Sequence, residues 1–169
     1  MKRTIRELTI FSMLGAVMYA SKILMDLAPN IHLIGVFIVA FTIVYRQKAL
    51  YPIYVFVFIT GMLSGFAAWW VPYLYIWTVL WGVTMLLPKN MPQAVASVVY
   101  PIVCALHGLF FGVLYAPVQA LMFGFTFEQT LAWIAAGFTF DIIHTIGNFA
   151  VGLLIYPASE ALKRLTKDI

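Results

Sequence analysis

Apolar residues run along this chain in long unbroken blocks, and Pro, Gly and charged residues cut them into six. The first block covers about residues 8–27 and ends at Ala28-Pro29-Asn30. The second is short, 31–45, and stops at Arg46-Gln47-Lys48. A third covers 50–68 and a fourth 73–87, between Trp69-Trp70-Val71-Pro72 and Pro88-Lys89-Asn90-Met91-Pro92. The fifth runs over 94–115, with Pro117 and the stretch Phe123–Gln129 breaking the pattern beyond it. The sixth covers 131–156 and is followed by a polar tail from Ser159. A helix needs about 20 apolar residues to cross a bilayer, fewer where the bilayer thins. Strand-length alternation, the mark of a membrane barrel, is missing. The pattern therefore predicts an all-α integral membrane protein, with residues 1–169 forming one compact bundle of six transmembrane helices.

Composition agrees. The chain is 64% hydrophobic and 9% charged, against about 25% charged in soluble domains. The basic excess reads as topology rather than nucleic-acid binding. With the N-terminus inside, Lys2, Arg3, Arg6, Arg46, Lys48, Lys89, Lys163, Arg164 and Lys167 all fall on the cytoplasmic side. Lys22, in the outer half of the first helix, is the exception. Both termini are thus expected in the cytoplasm. The first apolar run outlasts a signal-peptide core and no A-x-A site closes it, so a retained helix is expected. Cys104 is the only cysteine, which excludes an internal disulfide and a cysteine-based metal cluster. No Gly-Lys pair occurs, so a phosphate-binding P-loop is absent. A nucleotide-driven engine would have to come from a partner.

Against this apolar background, Phe140–Asn148 reads FDIIHTIGN. At ~100° per residue, Asp141, His144 and Asn148 share one helical face, with Thr145 beside them. Ionisable groups inside membranes face a bundle interior or a wet cavity and are functional candidates by default. His107 in the fifth block, His32 at the start of the second, Lys22 and Asp26 at the end of the first, and Glu128 before the sixth all fall towards the external side. The expectation is a pocket open to the outside. Alternatives stand beside it. Asp141 and His144 would also serve as interhelical glue, with each other or with His107. Lys22 and Asp26, four apart, suit an ion pair or snorkelling as well as ligand contact. His32 suits an interface equally well, and Glu128 a solvated helix start.

Trp69, Trp70 and Tyr73 form an outer aromatic belt. Tyr73, Trp77 and Trp81 share a face that either walls a pocket for a flat ring or simply packs. A carboxylate favours a cation or an N–H-rich edge, and aromatic walls favour a flat ring. The ligand expected is a nitrogen heterocycle of the vitamin, pterin, purine or pyrimidine kind, with cobalamin left open. On the first helix, Ser12, Ala16 and Ala20 form a small-residue stripe beside Gly15. Such a stripe lets another helix approach closely, from a partner or from this bundle.

These features together resemble the substrate-binding S components of energy-coupling factor (ECF) transporters. The resemblance covers the whole chain: six spans, a cytoplasmic N-terminus, and A-x-x-x-A in the first helix as Ala16-Val-Met-Tyr-Ala20. Residues 32–58 and 72–92 also look like S components of Gram-positive bacteria. The resemblance implies capture of a vitamin-like micronutrient outside a bacterial cell membrane. It implies docking through Ser12, Ala16 and Ala20 onto a transmembrane coupling protein that carries two ABC-type ATPases. It also implies that the loop Ala28–His32 lids the pocket. Substrate contacts are then expected from Asp141, His144, Asn148, His107, His32, Trp77, Tyr73, Lys22 and Asp26. Nickel and cobalt S components carry a histidine after the initiator Met, where this chain has Lys2, so no metal and no cofactor is expected.

Two rival classes follow from the same residues. Asp141 and His144 as a proton relay would make a stand-alone ion-coupled carrier. A serine hydrolase would use Ser64, but Gly61-Met62-Leu63-Ser64-Gly65 lacks the glycine two residues before the serine, and no enzymatic activity is expected.

Overall fold

The computed structural model describes residues 5–26 and 31–166. All regular structure among them is helical. Eight α-helices follow in order: α1 (Ile5–Met25), α2 (Ile34–Tyr45), α3 (Leu50–Ser64), α4 (Tyr73–Met85), α5 (Gln93–Leu109), α6 (Phe111–Phe123), α7 (Phe127–Gly152) and α8 (Ile155–Leu165). Short 3-10 turns at Arg46–Ala49 and Ala68–Trp70 connect α2 to α3 and lead into α4. Lys2, Arg3, Lys167 and the Ala28–Asn30 part of the expected lid lie outside the described residues.

Four helical stretches are long and apolar enough to cross a membrane: Ile5–Met25, Ile34–Ser64, Gln93–Phe123 and Phe127–Gly152. The second is broken at Arg46, which takes φ +53°. An arginine is an unusual occupant of the left-handed region. Here its guanidinium donates to the Met85 carbonyl while its own carbonyl accepts from the Trp81 indole, so α4 clamps the turn.

Three boundaries differ from the sequence expectation. The fifth block does not end near Tyr115. It breaks at Phe110, which closes α5 and opens α6, and α6 then runs through Pro117 to Phe123. Pro117 removes one hydrogen bond without ending the helix, a tolerance common in membrane helices. Gly124 in the left-handed conformation (φ +68°) ends α6 instead. The sixth block starts at Phe127 rather than near 131, because Thr126 and Gln129 close a capping box around the first turn. It stops at Gly152, and the supposed tail is a separate helix, α8, with Ile155 and Ser159 buried against the bundle.

The core is centred on α2, where nine of twelve residues are buried. It packs against α4 and α8, α1 lies along α3, and α7 lies along α5 and α6. Close approach depends on glycine. A Cβ on Gly15 of α1 would stand 2.5 Å from Val55 Cγ1, and one on Gly152 of α7 would stand 2.8 Å from Pro101 Cα. The outer surface is apolar, as on Leu24, Leu121 and Phe127. Helix α7 is inside-out relative to a soluble amphipathic helix. Phe138, Ile142, Ile146 and Phe149 face outward, while Asp141, His144 and Asn148 face in.

Charge separates along the bundle. Glu7 at the start of α1 pairs with Lys48, Arg46 meets the end of α4, and Lys89 and Lys163 flank a groove beside α8. Lys22 stands at the opposite end, near the close of α1.

Candidate functional site

At that opposite end, α1, α2, α3, α4 and α6 converge on a pocket of about 220 Å³. Lys22 comes from α1 and Asp26 from the turn that follows it, His32 from the turn before α2, Phe56 from α3, Tyr73 and Trp77 from α4, and Phe111 from the first turn of α6. Five of the nine residues expected to touch a ligand therefore line one pocket. Lys22 and Asp26 form an ion pair of 3.2 Å, so the expected pairing and the pocket lining coexist.

Trp77 is the hub. Its ring is 5.2 Å from Tyr73, 5.7 Å from His107, 5.8 Å from Phe111 and 6.2 Å from both His32 and Phe56, centroid to centroid. The His32 ring in turn lies 4.8 Å from that of His144. Buried polar atoms are nearly always hydrogen-bonded. Here His32 Nδ1, Trp77 Nε1, His107 Nδ1 and His144 Nε2 are buried without a partner among the described residues. The other His107 nitrogen lies 3.1 Å from the Ile76 carbonyl. This density of uncommitted polar atoms among aromatic rings fits a small polar solute better than a finished apolar core.

The α7 residues do not all reach that pocket. Asp141, His144, Asn148 and His107 are not among the residues that line the Trp77 pocket. Asp141 Oδ1 accepts from the Gly112 backbone N–H at 3.1 Å. Gly112 sits in the first turn of α6, where N–H groups lack intrahelical partners, so the carboxylate caps one helix from another. Asn148 donates from Nδ2 to the Cys104 carbonyl at 3.1 Å, tying α7 to α5, and its Oδ1 is unpaired. His144 bridges the two regions: it touches His32 and Phe111 and lines a second cavity of about 240 Å³ with Asp141. Asp141 does join two helices, through the Gly112 backbone rather than through His144 or His107, and a cavity adjoins it.

On α1, the small-residue stripe divides. Gly15 faces α3, together with buried Glu7, Phe11 and Met18. Ser12, Ala16 and Ala20 are exposed. Internal packing therefore accounts for Gly15 and leaves Ser12, Ala16 and Ala20 open. Glu128 is exposed in the first turn of α7. Ser64 is exposed, and Tyr19, at 3.4 Å, is its hydrogen-bond partner.

Sequence reasoning missed Phe56, Phe111 and Gly112. Nothing in their spacing separates them from other membrane-helix residues; only the break at Phe110 turns Phe111 inward. Among the described residues, no group of three His, Cys, Asp or Glu side chains is arranged to hold a metal ion. No protein-family model, no curated protein and no solved structure matches this chain.

Proposed function

We propose that this chain is the solute-capturing membrane subunit of a bacterial uptake system of the ECF kind. In this reading six spans place both termini in the cytoplasm and turn the pocket outward. The bundle binds a small, flat, nitrogen-rich solute there and hands it on through a coupling protein driven by two ATPases. The carrying observation is the Trp77-centred pocket, lined by His32 and Trp77 whose Nδ1 and Nε1 find no partner among the described residues, at the end of the bundle remote from Arg46, Lys48, Lys89 and Lys163. Basic residues favour the cytoplasmic side, so that pocket would open outside. The free face of Ser12, Ala16 and Ala20 supports docking onto another helix.

Two measurements test the proposal. Mass spectrometry of small molecules released from the purified protein is expected to yield one heterocyclic solute in near-stoichiometric amount. Proteoliposomes holding this chain alone are expected to bind that solute without accumulating it, whatever pH or sodium gradient is imposed. Gradient-driven accumulation would instead identify a stand-alone carrier working through Asp141 and His144.

A further inference from the structure

Beside Phe111 lies the second cavity, about 240 Å³, which opens at the bundle surface past the exposed Phe140 and is lined by Tyr115, Trp133, Gly137, Asp141 and His144. Phe111 is common to this cavity and to the outer pocket. We infer that this second cavity, open at the bundle surface, is a separate binding compartment for a primary ammonium group carried on a compact aromatic body.

Three features carry this. Asp141 is 6% exposed, and only Oδ1 is used, by the Gly112 N–H. Among the described residues Oδ2 accepts no hydrogen bond, which leaves a carboxylate oxygen for a cationic donor. A buried carboxylate with one oxygen unbonded is costly, and a bound cation offsets that cost. Tyr115 and Trp133 stack at 6.1 Å with 21° between their planes and wall the same space. Such faces attract a cation or take a stacked ring. Finally, the stripe Trp133, Gly137, Asp141 and His144 repeats at helical spacing on α7, with glycine where a side chain would fill the volume. His144 adds an imidazole three residues from the carboxylate, so two acceptor-bearing groups face a donor with three N–H bonds.

The compartment is defined without reference to uptake. Its test is thermal unfolding of the purified full chain with phenethylamine, 2-phenylethanol or 3-phenylpropionate. The three share a ring and differ in charge. The amine is expected to raise the midpoint saturably by several degrees, and the alcohol and the acid to leave it unchanged. Gly137→Leu is expected to abolish the amine response, since nothing lies within 4 Å of an ideal Cβ there and the longer side chain would enter the cavity. Asp141→Asn is expected to make the amine behave like the alcohol. No response to the amine, an equal response to the alcohol, or a response surviving in Gly137→Leu would overturn the compartment. If the amine binds but no heterocycle co-purifies, the uptake reading fails and the compartment stands. The reverse pattern separates them the other way.

Discussion

Asp141, His144 and Asn148 share a helical face because their spacing requires it, and that much is readable from nine letters of sequence. Their separate tasks are not. Asp141 caps α6 through Gly112, Asn148 ties α7 to the Cys104 carbonyl, and His144 touches the outer-pocket ring His32. Each task depends on a backbone group or ring from a distant part of the chain. A Cβ at Gly112 would lie 2.5 Å from Asp141 Oδ2. Gly112→Ala is therefore expected to displace the carboxylate and lose its backbone bond, at about 1–3 kcal/mol. Gly82→Ala is the matched control, because no atom lies within 4 Å of its ideal Cβ. Thermal unfolding of the two variants should separate them clearly; equal midpoints would show that the Gly112 contact is dispensable. Trp77, 2% exposed and with an Nε1 that has no partner among the described residues, is the residue on which affinity of its pocket should depend most. Trp77→Leu is expected to weaken retention of the co-purified solute at least tenfold, read by equilibrium dialysis, and unchanged retention would move the site elsewhere.

At the scale of elements, adjacent residues of α1 have opposite surroundings. Gly15 lies against Val55 and the Pro52 carbonyl, whereas Ala16 faces outward. Gly15→Leu should destabilise the isolated chain by about 1–3 kcal/mol through overpacking. Ala16→Trp should leave unfolding unchanged and prevent co-purification with the proposed coupling protein. An intact complex in Ala16→Trp would remove α1 from the docking surface. Helix existence was legible from the apolar blocks, but three boundaries were not. Pro117 is a breaker by local rules, yet α6 passes through it, while Phe110 carries no breaking signal and interrupts the helix. The polar stretch from Ser159, expected as a tail, belongs to a docked helix because Ile155 finds a buried place beside α2 and α5.

At the scale of the whole molecule, charge and pocket occupy opposite ends. Cys104 is fully buried, so introduced cysteines can be read over a silent background. With a membrane-impermeant maleimide on intact cells, Asp26→Cys beside the pocket should label, and Lys89→Cys only after permeabilisation. The opposite pattern would invert the proposed orientation. Hydropathy alone established that the chain is helical and suited to a membrane, because the energetic penalty for unpaired backbone in lipid leaves few other structures. Spacing alone placed Asp141, His144 and Asn148 on one face, because a helix repeats every 3.6 residues. The tertiary structure decided which polar groups meet Trp77, which are spent holding helices together, and which face of α1 remains free. Those outcomes follow from contacts between segments far apart in the chain, set by where glycines let helices close and where α5 breaks, and no local pattern encodes them.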